Sequence, residues 1–195
     1  MTDAPLRRRD LDADPLRQFE RWYEEARDVV RAPEAMALAT ASPDAAPSLR
    51  MVLLKQADED GLVFFTHYPS RKGRELEANP QAALLFHWEP LGRQVRVEGR
   101  VERIPEAESD AYFATRPAGA RAGAHASRQS EVLESREELE RRLSEVDAEP
   151  RPEHWGGFRL VPETWEFWQH RDSRLHDRFR YRSDGGAWVV ERLYP

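Results

Sequence analysis

Four groups of residues have types and spacings suited to chemistry. Ser70-Arg71-Lys72 follows an apolar run and stands where a helix should begin. A helix N-terminus is already electropositive, through its free N–H groups and dipole, so two cations there are misplaced unless an anion such as a phosphate sits between them. A plain charged surface is the alternative. Arg50-Met51-Val52-Leu53-Leu54-Lys55 reads as a strand with a cation at each end, with Arg50, Val52 and Leu54 on one face and Met51, Leu53 and Lys55 on the other. Those cations could hold a ligand or snorkel to solvent from the strand ends. Tyr112 and Arg116 are four apart on a helical stretch, a phenol and a guanidinium suited to a phosphate or to stacking on each other. Trp165-Glu166-Phe167-Trp168-Gln169, followed by Arg174-Leu175-His176-Asp177-Arg178, could wall a flat, anionic, aromatic ligand.

Other chemistries are missing from the pattern. The chain has no cysteine, which removes disulfides, thiolate metal sites and a cysteine nucleophile. No HExxH or paired-histidine spacing appears, so no metal is expected at His67, His87, His125, His154, His170 or His176. There is no GxSxG elbow, GxGxxG or GxxxxGK[ST], and His170-Arg171-Asp172 lacks the companions of a kinase catalytic loop. Phosphate-suited cations without a triad or metal site suggest a protein that holds phosphorylated aromatics, with a cofactor carrying the reaction.

The elements that must position these residues read as follows. Asp14-Pro15 is a helix start, and Leu16, Phe19, Trp22/Tyr23, Ala26 and Val29/Val30 continue it over roughly 15–31. Strands are predicted over 36–41, 48–56, 62–66, 82–88, 93–104 and 155–169, with a hairpin turning at Asp184-Gly185-Gly186, seven or eight in all. Helices are predicted over 71–78, from Pro105 through Phe113, and over 131–146, while 118–130 (AGARAGAHASRQS) reads as a loop. Strands in meander order, without βαβ alternation, predict a mainly β, α+β chain: an antiparallel, Greek-key-like barrel or sandwich with helical additions.

The 195 residues fit one domain and can bury a core without staples. The net charge of −6 argues against a nucleic-acid partner. No apolar run approaches a membrane span, and MTDAPLRRRD lacks a signal-peptide core, so a cytoplasmic location with no membrane partner is expected.

Taken together, the stretches LRRRDLDADPLRQFERW (6–22), RMVLLK (50–55), GLVFFTHYPSRKGRELEANP (61–80), RQVRVEGRVER (93–103), YFATRP (112–117), SRQS (127–130), WGGFRL (155–160), EFWQ (166–169) and RLHDRF (174–179) resemble the pyridoxamine/pyridoxine 5′-phosphate oxidases, the FMN enzymes of vitamin B6 metabolism. The resemblance covers nearly the whole chain. It implies an FMN-binding split β-barrel over 1–195, with an N-terminal arm and helix (1–34), a barrel core (35–104), a helical insertion and loop (105–150) and C-terminal strands (151–195). It also implies a homodimer with FMN at the interface, and the sequence adds that apolar strand faces and Trp-rich segments exceed what a small closed barrel buries alone.

Residue by residue, the resemblance implies that FMN is held by Arg50, Met51, Val52, Leu53, Leu54 and Lys55, by Phe65-Thr66 and by Arg71-Lys72. Gln94, Gln129-Ser130, Trp168 and Arg178 would complete that set. Lys55, Tyr112 and Arg116 would take the substrate phosphate, and Arg174, Leu175 and His176 would meet the pyridine ring, with Arg174 and His176 catalytic. The implied reaction converts pyridoxamine or pyridoxine 5′-phosphate to pyridoxal 5′-phosphate, with O₂ as acceptor and H₂O₂ released.

Three departures stand out. A family serine that contacts the substrate phosphate falls at Ala120, a common tryptophan before SRQS is His125, and the Arg-Arg-Glu-Tyr-like segment expected upstream of LRRRDL has no counterpart in the sequence. Two other functions stay open at this point: a related flavin oxidase of the phenazine-biosynthesis type, and a non-catalytic barrel that holds flavin, haem or pyridoxal phosphate.

Overall fold

The computed structural model describes residues 5–147 and 150–195; residues 1–4 of the expected arm and 148–149 of the expected insertion lie outside them. Nine strands form the sheet among the described residues: β1 Ala35–Ala41, β2 Pro47–Leu53, β3 Gln56–Asp58, β4 Gly61–His67, β5 Gln81–Trp88, β6 Arg93–Arg103, β7 Trp155–Gln169, β8 Asp177–Asp184 and β9 Ala187–Leu193. Every pairing is antiparallel, in the order β2-β1-β5-β6-β7-β4-β3, with β8 on β7 and β9 on β8.

The fifteen-residue strand β7 is where the sheet divides. Its first half pairs with β4 (Trp155↔His67 to Leu160↔Leu62), its second half pairs with β8 (Thr164↔Arg182 to Gln169↔Asp177), and β6 runs along both. A register shift between Glu98 and Gly99 lets β6 follow the bend. A Cβ at Gly99 would stand 2.0 Å from the Val161 carbonyl oxygen, so the chain needs glycine there. This is a split barrel, as the resemblance implies; the strand pattern alone left an antiparallel barrel or sandwich open.

Five α-helices accompany the sheet in the described residues, besides three short 3₁₀ turns: α1 Pro15–Arg27, α2 Arg71–Ala78, α3 Glu106–Thr115, α4 Ala118–Ala126 and α5 Arg136–Ser144. Asp14 accepts from the Leu16 N–H and caps α1, whose Phe19, Trp22 and Ala26 are buried. The Phe19 ring lies 5.0 Å from Phe86 and 5.6 Å from Trp165, and Trp22 meets Phe167 edge-on at 5.3 Å. This aromatic cluster ties α1 to β5 and β7 and forms the centre of the core.

Four expectations are corrected. The first helix ends at Arg27, not near 31, because a turn at Val29 and Val30 closes onto the Ala26 carbonyl. The predicted strand 48–56 is two strands, with Leu54 and Lys55 between them; the Leu54 N–H bonds Glu34 and the Lys55 N–H bonds Val63. Part of the predicted loop 118–130 is helix α4, since alanine needs no apolar period to favour a helix. The last helix starts at Arg136 rather than 131, where the Ser135 hydroxyl accepts from the Glu138 N–H.

Candidate active site

The start of α2 is held down at its cap. Ser70 is buried and its hydroxyl accepts from the Gly73 N–H at 3.3 Å. That turn directs the Lys72 side chain inward, where Nζ donates to the Gln129 side-chain oxygen at 2.7 Å and to Thr66 Oγ1 at 3.1 Å. Burial, and then the charge of Arg50, lower the Lys72 ammonium to about 8. The Arg71 N–H donates to Ser130 Oγ at 3.2 Å, so the 127–130 loop closes over the helix start. Ser130 itself is a non-glycine residue at positive φ (76°), a local strain of the kind found at binding loops.

Of these, Thr66, Lys72 and Gln129 line a cavity of ≈ 720 Å³. Its lining contains Arg50, Met51, Val52, Leu53, Lys55, Phe65, Thr66, Lys72, Tyr112, Arg116 and Gln129, which the sequence singled out, together with His67, Ala120, Gly123, Ala124, Ser127 and Trp155. One wall is aromatic: the Phe65 ring stacks on Tyr112 at 4.0 Å and on Trp155 at 5.2 Å. The second glycine of WGGF makes room for it, since a Cβ at Gly157 would stand 2.4 Å from Ile104 and 3.0 Å from Phe65. Arg116 does not continue α3, which stops at Thr115; its extended backbone swings the guanidinium over Trp155 at 4.6 Å. Its Nη1 is buried with no hydrogen-bond partner, and burial lowers the Arg116 pKa from its ordinary value. Arg116 also lines the cavity, and a guanidinium with one nitrogen left without an acceptor is suited to an anionic group supplied by a ligand.

Behind the cavity stands a carboxylate. Glu75 of α2 is 7 % exposed and accepts from Arg71 Nε (2.9 Å), Thr40 Oγ1 (2.5 Å) and Ser48 Oγ (2.5 Å), with Arg50 at 3.3 Å. Burial pushes its carboxyl up, but the hydrogen bonds from Ser48, Thr40 and Arg71 outweigh that and hold it at about 2.

A second group lies at the other end of β7. Gln94 and Arg178 flank Trp168 in the strand register. The His176 ring packs on Trp168 at 4.5 Å and on His170 at 5.2 Å. His176 Nδ1 accepts from the Arg171 N–H at 3.2 Å, which leaves the ring proton on Nε2. Burial, then His170 and Arg174, lower its pKa, favouring the neutral ring. Ser173 and Arg174 are consecutive non-glycine residues at positive φ (56° and 61°), and this tight turn leaves the Arg174 side chain exposed. Arg178 donates to Glu166 at 2.8 Å and to the Tyr194 carbonyl at 3.0 Å.

The structure therefore brings the first ligand group together but not the second. Leu175 and His176 face a different cavity, of ≈ 430 Å³, beside Arg192 and the C-terminal residues, and none of Gln94, Trp168, Arg174 or Arg178 lines the larger one. Leu54, Arg71 and Ser130 also stay out of it; Leu54 is turned toward Phe19 and Tyr23, and Ser130 lines a separate cavity beside Glu131 and Arg142. Trp155 and Glu75 were missed as site residues. The WGGF motif was a usable signal for the first; nothing in the sequence marked the second. Among the described residues no group of three His, Asp or Glu could hold a metal.

A family model described as pyridoxamine 5′-phosphate oxidase matches residues 23–149, and one described as the pyridoxine 5′-phosphate oxidase C-terminal dimerisation region matches 155–195. The chain belongs to the pyridoxamine 5′-phosphate oxidase family. Relatives named pyridoxine/pyridoxamine 5′-phosphate oxidase include one from Rubrobacter xylanophilus, 58% identical over all of this chain and 93% of its own length. Another, from Ralstonia pickettii, is 57% identical over 95% of this chain and 91% of its own. Among solved structures, PhzG from Burkholderia lata, in complex with tetrahydrophenazine-1-carboxylic acid, has a TM-score of 0.91 at 37% identity, covering 96% of this chain and 95% of that one. An FMN-binding, pyridoxamine 5′-phosphate oxidase-related protein from Nostoc punctiforme has a TM-score of 0.78 at 18% identity over 95% of this chain and all of that one, a likeness of fold. As an oxidoreductase family, the pyridoxamine 5′-phosphate oxidases account for a cavity lined with cations and rings but without a triad or metal cluster. No helix of the described residues is long and apolar enough to cross a membrane.

Proposed function

We propose that this chain is an FMN-dependent oxidase that converts pyridoxamine 5′-phosphate and pyridoxine 5′-phosphate to pyridoxal 5′-phosphate. The amine route consumes O₂ and water and releases ammonia and H₂O₂; the alcohol route consumes O₂ and releases H₂O₂. The observation that carries the reading is one aromatic-walled cavity with cations at two places, half-buried Arg50 with buried Lys72, and half-buried Arg116, whose Nη1 has no hydrogen-bond partner, beside Tyr112. Two phosphorylated aromatic molecules side by side need such a cavity.

In this reading Arg50, Lys72, Thr66, Gln129 and the Arg71-to-Ser130 closure hold the FMN phosphate end, and the 50–53 strand and Phe65 border the flavin. When bound, FMN supplies the two-electron acceptor for the substrate C4′ and the route to O₂. Lys55, Tyr112 and Arg116 grip the substrate phosphate as a remote handle, and the binding energy from that handle holds the ring in place. Gln94, Trp168, Arg174, Leu175, His176 and Arg178 come from a second copy across a homodimer interface. From there the neutral His176 offers its Nε2 proton as a donor to the substrate, while Arg174 covers the pyridine ring and orients C4′.

The test is an absorbance spectrum of the purified protein before and after pyridoxamine 5′-phosphate is added without oxygen. Flavin bands that bleach, with an aldehyde product appearing, are the expected result. A flavin spectrum that stays unchanged would move the function to another substrate or to a carrier. A second reading, an oxidase for larger tricyclic substrates, is favoured by the likeness to PhzG and by Ala120, which removes a hydroxyl from the cavity. Bleaching by a reduced phenazine carboxylate but not by pyridoxamine 5′-phosphate would select it.

A further inference from the structure

We propose that Glu75 is a positioning residue for the phosphate end of the cavity, fixing Arg50 and Arg71 and setting that end's charge to match a phosphate monoester dianion. The inference rests on the reading that the FMN phosphate lies against Arg50 and Lys72. Neither Glu75 nor Arg71 lines the cavity; Glu75 stands behind Arg50, which does, and Arg71 reaches the site through its N–H to Ser130.

A carboxylate near an anion site weakens binding by repulsion, so its presence needs a reason. Three cations, Arg50, Arg71 and Lys72, are gathered on β2 and the first turn of α2. Without a counter-ion they repel each other, and long side chains in that state swing toward solvent. Glu75 offsets one of the three charges, leaving two, the charge complement of a phosphate monoester near neutral pH.

The geometry shows how Glu75 acts on Arg50. Thr40 and Ser48 face each other across the β1–β2 register, and each hydroxyl donates its proton to Glu75 Oε2. Their lone pairs are thereby turned to accept, and Arg50 uses both: Nη1 donates to Thr40 Oγ1 (2.5 Å) and to the Leu38 carbonyl (3.1 Å), and Nη2 donates to Ser48 and to Glu75. The two hydroxyls relay between carboxylate and guanidinium, and the fork of Arg50 is fixed by four bonds. The other carboxylate oxygen takes Arg71 Nε, so one side chain orients cations from two elements. Replacing Glu75 by glutamine keeps the volume but puts an NH₂ donor where the network needs an acceptor.

The experiment measures apo-protein affinity for FMN and for riboflavin, which lacks the phosphate, in the wild type and in Glu75→Gln. The expected result is FMN binding weakened at least tenfold with riboflavin binding unchanged, so the preference for the phosphorylated flavin collapses. Unchanged or tighter FMN binding would overturn the proposal. Equal weakening of both flavins would also overturn it, by reducing Glu75 to a structural brace. If Glu75→Gln does not fold, Ser48→Ala carries the same readout, with a smaller loss confined to FMN expected and an unchanged preference overturning the idea. A wild type that binds both flavins equally would sink the phosphate reading itself, a separate failure from that of Glu75.

Discussion

Lys72 is buried beside Arg50 and titrates at about 8, below its ordinary value. The folded apo protein therefore releases this proton near pH 8, while the unfolded chain keeps it until near the ordinary lysine value of 10.5. The Lys72 contribution to apo stability accordingly rises with pH across that window. A bound phosphate reverses the balance by favouring the ammonium, so FMN binding at about pH 8.5 should take up a proton, and affinity should fall as pH rises further. Calorimetric titration in buffers of different ionisation enthalpy checks the uptake, and Lys72→Met should abolish it.

At the same scale, Arg116→Ala removes a guanidinium whose Nη1 has no hydrogen-bond partner. A lost charged hydrogen bond costs about 1.5–3 kcal/mol, or roughly ten- to a hundredfold in kcat/KM for the phosphorylated substrate. FMN content should not change, and an undiminished kcat/KM would remove Arg116 from substrate binding. Both cations were legible in the sequence, Lys72 because a cation is misplaced at a helix start and Arg116 because it stands four residues from Tyr112 on a helical stretch. Glu75 was not, because an acidic residue in Arg-Lys-Gly-Arg-Glu-Leu-Glu looks like a solvated helix face.

Among the elements, the bulge at Glu98/Gly99 decides how β6 and β7 bend together. Gly99→Ala would press a methyl group against the Val161 carbonyl, a backbone atom that cannot rotate away. A destabilisation of about 1–3 kcal/mol is expected, read as a lowered Tm. A Tm equal to the wild type would show that the strand shifts freely there. The long alternating strand β6 was visible in the sequence, since Val95, Val97, Gly99 and Val101 fall on one side. Helix α4 was not, because Ala-Gly-Ala-Arg-Ala-Gly-Ala-His-Ala has no apolar period to read. Its position depends on tertiary contacts: His67 and His154 both reach the Ala124 carbonyl, at 2.9 and 3.2 Å.

For the whole molecule, the edge strand β2 exposes Leu49, Met51 and Leu53 on one face, with Leu49 at 68 %. Such an apolar edge on a chain whose C-terminal part matches a dimerisation region fits burial against a second copy. Leu49→Asp, outside the cavity lining, should shift the mass measured by light scattering toward the 22.7 kDa monomer and lower FMN retention. A variant that keeps twice that mass would place the interface elsewhere. An antiparallel barrel or sandwich was legible from turns and periodicity; the expected meander order was not borne out, since β1 pairs with β5 and β4 with β7. The separation of the expected site residues into two patches was not legible, because spacing along one chain does not report which residues share a cavity.

The stack of Phe65, Tyr112 and Trp155 has an optical consequence. Trp22, Trp88 and Trp165 are sealed in the core, whereas Trp155, nearly as buried, forms part of the cavity wall with Arg116 over its ring. Its emission is thus a built-in reporter: a flavin seated in that cavity would quench it by energy transfer, and the difference between the wild type and Trp155→Phe would isolate that signal. Occupancy could then be followed in real time without any added label.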